Sequence, residues 1–292
     1  MGNAGVCPVC CSETVAIGSK VGAYSGTRYD LRQCPTCRYS FVANPWTDYA
    51  AIYSADYYAG KGADPFVDYA FELAHPDRTV RRYEWAAIRQ IVHALTPVTT
   101  GTRWLDYGCG NGALVREVRQ RERCAIEGFE EGWICNQARR AGIPILTRDE
   151  LDRRAGAFDV VTAIEVLEHA IDPLSVMRDV RRLLKPGGLL FFTTGNARPY
   201  RDRLLAWRYV VPEIHVGFFE PQTLARALTL TGFRPEFRGF LPGHAQMIRF
   251  KVLKSLRLRE PSLPERLLWW PLVARIVDAR LGVTALPIGW AT

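Results

Sequence analysis

Thr102-Arg103-Trp104-Leu105-Asp106-Tyr107-Gly108-Cys109-Gly110-Asn111-Gly112 is the stretch on which the fold turns. Thr102 to Tyr107 reads as a short apolar strand. It runs without a spacer into three alternate glycines, and Ala113 to Gln120 continues with helical periodicity. Strand, glycine-rich turn and helix in direct succession mark a site for a nucleotide-bearing cofactor. The glycines let the backbone approach a ligand, and the first helical N–H groups are free to meet it. A dinucleotide fingerprint reads G-x-G-x-x-G. Here the spacing is G-x-G-x-G, preceded by Asp106.

Outward from this turn the chain alternates. Ala125 to Phe129 reads as a second strand that ends at Glu130. An acid about 20 residues past the glycine loop can accept both hydrogen bonds of a ribose diol, with Glu131 as the next candidate. Phe158 to Ile164 reads as a strand, the fourth of the sheet in chain order, and leads into Glu165-Val166-Leu167-Glu168-His169. A helix over Leu174–Leu184 should stop at Lys185-Pro186-Gly187-Gly188, and Leu189 to Thr194 should form the fifth strand. Thr223 to Gly232 reads as a helix and Phe233 to Phe240 as the sixth strand. Such alternation predicts a Rossmann-like α/β sheet with helices on both faces.

Eight cysteines are present, five of them within the first 37 residues. Cys7-Pro8-Val9-Cys10 and Cys34-Pro35-Thr36-Cys37 are two C-P-x-C knuckles. Together they supply four thiolates, a closed tetrahedral zinc site with no open position for chemistry. The intervening turn-rich, alternating sequence suits a zinc-ribbon hairpin. Cys11 reads as a spare thiol that could also substitute for Cys10.

LDYGCGNG, FDVVTAIEVLEH and LLKPGGLLFFTT resemble the successive motifs of class I S-adenosylmethionine (SAM)-dependent methyltransferases. Within that superfamily the set is similar to the ubiquinone-biosynthesis-like O-methyltransferases, and the four-Cys N-terminus resembles that of nucleotide-sugar C-methyltransferases. The motif-bearing resemblance spans residues 103–237. It implies that Asp106, Gly108, Gly110 and Gly112 surround the methionine part of SAM and that Glu130 holds the ribose. It also implies that Ala163 and Glu165 face the cofactor, with Asp149 the choice for an adenine contact. Methyl transfer then needs a base at the carboxyl edge of the sheet. His215, in Val211 to Phe219, resembles the segment that projects over the active site in these families. It is the expected general base, with Glu213 to orient it, and His169 is either a second catalytic candidate or a packing residue.

The expected organisation is a zinc-ribbon-like module at 1–43, an aromatic linker or lid at 44–77, and a SAM-binding domain at 78–292 with a helical segment over 246–282. The linker carries Trp46, Tyr49, Tyr53, Tyr57, Tyr58, Phe66, Tyr69 and Phe71. Gln246–Leu258 and Glu265–Leu281 read as helices, the second with an apolar face suited to packing or to a homodimer. Val283 to Trp290 reads as a final strand.

Bulk properties narrow the function classes. Of the 292 residues, 48% are hydrophobic and 23% charged, and no apolar run reaches the roughly 18 residues of a membrane span. The N-terminus lacks the features of a secretory leader, so the cytoplasm is the expected location. The net charge of +8 comes from scattered arginine pairs, without a basic tract. The expected partner is therefore a small-molecule acceptor, nucleotide-linked or phosphorylated in one form, and nucleic acid is disfavoured. A zinc-containing RNA methyltransferase is the alternative. Against it, residues 1–43 carry only Lys20, Arg28, Arg32 and Arg38 as bases, and no Asn-Pro-Pro-Tyr follows Ile164.

Overall fold

Each C-P-x-C pair closes the same turn. The Cys11 N–H reaches the Cys7 carbonyl at 3.0 Å, and the Arg38 N–H reaches that of Cys34 at 2.9 Å. Cys11 and Arg38 both take positive φ, 59° and 64°. The Cys7 and Cys34 N–H groups then donate to Ser12 and Tyr39 carbonyls, each at 2.8 Å. This repeated geometry aims two thiols from each knuckle at one point and leaves Cys11 exposed outside it. The computed structural model describes residues 5–64, 68–263, 272, 275–276 and 286–292.

Between the knuckles, β1 (Val15–Val21) and β2 (Arg28–Gln33) form an antiparallel hairpin, and β3 (Ser40–Val42) adds to β2. The sheet does not end there. A strand over Gly217–Phe218 pairs with β3, Ser40 opposite Phe218 and Phe41 opposite Gly217. A side chain at position 217 would meet the Tyr39 hydroxyl at 2.4 Å, so this close approach requires glycine. The Thr223 hydroxyl donates to the Cys37 carbonyl at 2.6 Å. The cysteine-bearing segment is thus completed by a strand from the C-terminal half.

Three short helices follow: α1 (Tyr49–Ile52), α2 (Ala55–Tyr58) and α3 (Tyr69–Ala74). Asp48 and Asp68 cap α1 and α3 by accepting the Ala51 and Phe71 N–H groups, which offsets part of the orphan-donor cost of such short elements. The longer helix α4 (Arg82–Leu95) comes next, and just before it the Val80 N–H donates to the Arg259 carbonyl at 2.8 Å.

The larger domain then runs β4 (Arg103–Tyr107), α5 (Ala113–Arg121), β5 (Ala125–Phe129), α6 (Ile134–Arg140), β6 (Ile145–Leu146), α7 (Arg148–Asp152), β7 (Phe158–Ile164), α8 (Pro173–Leu183), β8 (Leu184–Thr193), β9 (Gly217–Phe218), α9 (Pro221–Leu230), β10 (Phe233–Arg238), α10 (His244–Ser255) and β11 (Leu286–Ala291). Strand order in the main sheet is β10-β11-β8-β7-β4-β5-β6, with β11 antiparallel to both neighbours. Strands alternate their side chains between two cores. Trp104 joins the α4 and α5 face with Ile88, Ile91 and Val115, while Leu105 joins the α8 and α9 face with Met177, Val180 and Leu228. The order reverses between β4 and β7, which opens a crevice at their carboxyl ends.

One sequence expectation changes. Lys185-Pro186-Gly187-Gly188 does not separate helix from strand. It is absorbed into β8 as a bulge, with Phe158 opposite Leu184 and Val160 opposite Leu189. Gly187 supplies the φ of 74° that the bulge needs. The helix expected over 265–281 lies outside the described residues except for Leu272, Arg275 and Ile276. Among the described residues no helix is long and apolar enough to cross a membrane.

Candidate functional site

A cavity of about 910 Å³ opens at the carboxyl ends of β4, β5 and β7 and is covered by α1, α2 and Tyr69 of α3. Gly108 and Gly110 form its floor with φ of 74° and 54°, the left-handed region that non-glycine residues avoid. Glu130 stands beside them. Its Oε2 accepts the Gly110 N–H at 3.0 Å and its Oε1 accepts the Gly132 N–H at 2.6 Å. Burial raises its pKa, opposed by these two amides.

Tyr49, Tyr53, Tyr57, Tyr58 and Tyr69 line the same cavity, with Trp133 across from Tyr58 at a ring separation of 6.3 Å. Burial pushes the Tyr53 and Tyr58 hydroxyls up from their ordinary values, so they stay protonated and able to donate. The aromatic segment both packs and lines.

At the other end, Glu165 and His169 reach the cavity wall. Glu165 has φ of 54°, a backbone conformation that costs about 1–3 kcal/mol in a non-glycine residue and concentrates at functional positions. Its carboxylate accepts from Thr193 Oγ1 at 3.1 Å, Lys251 Nζ at 3.1 Å and the Tyr209 hydroxyl at 3.2 Å. Burial pushes this carboxyl up, but Lys251 and Lys254 outweigh it and hold the group below the ordinary range. Glu168 is fully buried and accepts the Tyr209 hydroxyl. Burial first, and the charge of Glu165 second, push its pKa up to about 8. His169 Nδ1 lies 2.9 Å from the Ile214 carbonyl and His215 Nδ1 lies 2.6 Å from the Tyr209 carbonyl. A carbonyl only accepts, so both rings carry the proton on Nδ1 and keep the Nε2 lone pair. Burial lowers both pKa values, that of His215 to about 3, and both imidazoles are neutral near pH 7.

Asp106 faces a separate recess of about 40 Å³, shared with Arg81, Glu84 and Asn111, and Gly108, Gly110 and Ile164 border both spaces. Thr162 Oγ1 donates to Asp106 at 2.8 Å, and Trp104 Nε1 donates to Thr162 at 3.1 Å. Burial raises the Asp106 pKa to about 7.

Several expected site residues stand elsewhere. His215 is buried against His169, ring centroids 4.9 Å apart, and it is His169 that lines the cavity. Glu213 does not orient His215. Its Oε1 accepts the Tyr24 and Ser25 N–H groups at 3.0 and 3.4 Å, tying the β1–β2 turn to the larger domain. Asp149 is exposed in the first turn of α7, away from the cavity lining, because the two-residue β6 ends short of it. Gly112 is a packing glycine, since a Cβ there would sit 2.6 Å from Ile143 Cγ2. Ala163 points into the α8 and α9 core, and its neighbour Ile164 lines the cavity. Sequence reasoning missed Glu168, Tyr209 and Lys251. Glu168 lay inside the quoted EVLEH motif, but neither of the others carried a local signal.

Residues 78–236 match the methyltransferase-domain family. The chain belongs to that family. It is 31% identical over 145 residues to the ubiquinone biosynthesis O-methyltransferase of Escherichia coli O139:H28, a match that covers 46% of this chain and 60% of that protein. The chain thus spans less than two thirds of the relatives it matches. Among solved structures, a chain of the complex between the Haloferax volcanii Trm112 methyltransferase activator and a methyltransferase shares 19% identity with a TM-score of 0.51. That match covers 77% of this chain and 93% of the other, and it speaks for the methyltransferase fold alone.

Proposed function

We propose that this methyltransferase-family protein moves the methyl group of SAM to an oxygen or carbon acceptor on a small molecule. The observation that carries the reading is Glu130, held at the tip of β5 by the Gly110 and Gly132 amides and lining a 910 Å³ cavity with the glycine loop. A carboxylate oxygen has about two acceptor directions, and one amide on each leaves a second for a ribose hydroxyl. Gly110 is a cradle position, since a Cβ there would come 3.2 Å from the Tyr69 ring. SAM would supply a sulfonium methyl for in-line displacement. The chain's own part is placement: Gly108 and Gly110 admit the cofactor, Glu130 fixes the ribose, and the tyrosine hydroxyls donate from above. The acceptor would lie toward Glu165 and His169. There the neutral imidazole of the cavity-facing His169 can take a proton, the task that the sequence assigned first to His215.

The four N-terminal cysteines fit zinc. Cys7 and Cys37 Sγ are 3.5 Å apart, Cys10 and Cys34 Sγ 3.4 Å, and all four lie within 4.8 Å of one another. These separations are far longer than a disulfide and suit thiolates about 2.3 Å from one ion. The Val9 and Cys37 N–H groups support Cys7 and Cys34 sulfurs, each at 3.4 Å. The role would be structural.

The basic residues of the module favour a small acceptor over RNA. Lys20 donates inward to the Val210 carbonyl at 2.7 Å, Arg32 to Thr14, and Arg28 lies 3.7 Å from Asp30. Calorimetric titration with S-adenosylhomocysteine (SAH) tests the cofactor. One site per chain is expected, and a wild-type protein that binds none would end the proposal. A thermal-shift screen of nucleotide sugars, phenols and polyketides in the presence of SAH then tests the acceptor class.

A further inference from the structure

A second cavity, of about 290 Å³, lies between α3, the segment leading into α4 and the end of α10, and it shares no lining residue with the cofactor cavity. Its charged lining is unbalanced: Arg81, Lys254, Arg257 and Arg259 stand against Asp68 and Glu72. Both carboxylates are already engaged. Asp68 caps α3 by accepting the Phe71 N–H at 3.1 Å and pairs with Arg259 at 3.0 Å. Glu72 is buried, accepts the Asn111 side-chain amide at 3.1 Å and lies 3.7 Å from the Arg81 guanidinium. Lys254 is half-buried, its ammonium 6.0 Å from the Phe250 ring centroid, and among the described residues it forms no ion pair.

Arg257 supplies a second, independent observation. Helix α10 ends in a Schellman motif, in which the Leu258 N–H donates to the Leu253 carbonyl at 3.0 Å and the Arg257 N–H to the Lys254 carbonyl at 2.9 Å. The residue just past the cap of such a motif is left-handed, a conformation that glycine adopts without strain. Here that residue is arginine, with φ of 59°. Strain of this kind concentrates where a side chain has a task, and this one brings a guanidinium into the cavity lining.

We propose that this second cavity binds the phosphate group of a small molecule, held by Lys254, Arg257 and the Thr79 hydroxyl. A guanidinium fork matches phosphate oxygens two at a time, and an ammonium adds a point charge. Thr79 Oγ1 accepts the Arg81 N–H at 3.1 Å and keeps its own proton to donate. Phe71, Val80 and Phe250 give the cavity an apolar wall. That wall and a volume at the small end of ligand pockets suit a phosphate monoester with a short carbon chain. Neither SAM nor the acceptor enters this inference, which stands apart from the methyl-transfer reading.

The test titrates full-length protein calorimetrically with inorganic phosphate and with glycerol 3-phosphate, at constant ionic strength, with and without saturating SAH. One site per chain is expected, with the ester at least threefold tighter than the ion and its affinity within threefold when SAH is present. Inorganic phosphate bound as tightly as the ester would assign the site to the ion itself. Lys254→Gln should weaken binding by about tenfold or more, the loss of one charged hydrogen bond. Arg257→Gly should weaken it as much while raising the thermal midpoint, because the left-handed strain is relieved; a merely structural Arg257 would give the rise without the loss. A wild-type chain that binds neither ligand, folded variants that bind as tightly as wild type, or phosphate displaced by SAH would overturn the site. Phosphate binding by a chain that binds no SAH would end the methyl-transfer reading and leave this site standing.

Discussion

Replacing Glu130 with glutamine isolates the group on which cofactor binding is proposed to rest. The carboxylate accepts two amides, Gly110 N–H at 3.0 Å and Gly132 N–H at 2.6 Å, one on each oxygen. Glutamine keeps the shape but turns one oxygen into an NH₂ donor. One of the two amides then faces a donor, and one of the two ribose hydroxyls loses its charged acceptor. A hydrogen bond to a charged group is worth about 1.5–3 kcal/mol. The ligand-side loss alone therefore weakens SAH binding by about 10–150-fold, at about 1.4 kcal/mol per tenfold. The protein-side loss appears without ligand, because the amide left facing NH₂ costs about 1–3 kcal/mol of stability. Calorimetry with SAH and urea unfolding of the free protein measure the two terms separately. An SAH affinity within threefold of wild type would refute the ribose role, and unchanged stability would refute the anchoring of the glycine loop by Glu130.

Gly112→Ala combines φ of 71° with a Cβ 2.6 Å from Ile143 Cγ2. Left-handed strain of about 1–2 kcal/mol and overpacking of about 1–3 kcal/mol should lower the urea midpoint markedly, with SAH affinity within threefold in the folded fraction; a neutral effect on stability would contradict the packing role. Cys34→Ser should take the chain from about one zinc to none by elemental analysis, and retention of full zinc would exclude the four-thiolate set. Asp106→Asn addresses pH. The Asp106 pKa is raised from 3.8 to about 7, so the folded state holds the proton more tightly than the unfolded one. This carboxyl therefore favours the fold below about pH 4 and costs stability progressively up to about pH 7, at about 1.4 kcal/mol per pH unit. Asparagine still accepts from Thr162 and does not titrate, so its stability relative to wild type should rise by about 2–3 kcal/mol between pH 5 and 8. An equal difference at both pH values would show that Asp106 is ionised throughout.

What was legible in the sequence is what depends on near neighbours in the chain. Positive φ at Gly108, Gly110 and Gly112 forces a strand-to-helix turn whatever surrounds it, and the distance from Gly110 to Glu130 is set by one helix and one strand. The knuckles were legible for the same reason, since four residues close each one. Errors began where a side chain's direction is decided from outside the segment. β7 is buried on both faces, so hydrophobicity shows no alternation to say that Ile164 and not Ala163 meets the cavity. Glu213 looked like a partner for His215 two residues away, but its hydrogen bond runs to Tyr24, 189 residues distant. Lys251 neutralises Glu165 across 86 residues, from a helix that no motif connects with the site. That one contact separates the two acids of the EVLEH motif. Glu165 has its lysine, while Glu168, three residues on, shares the Tyr209 hydroxyl with it and has an oxygen left over. The motif shows two glutamates of equal standing. Only the arrival of α10 brings a lysine onto one of them, while burial pushes the pKa of the other up to about 8.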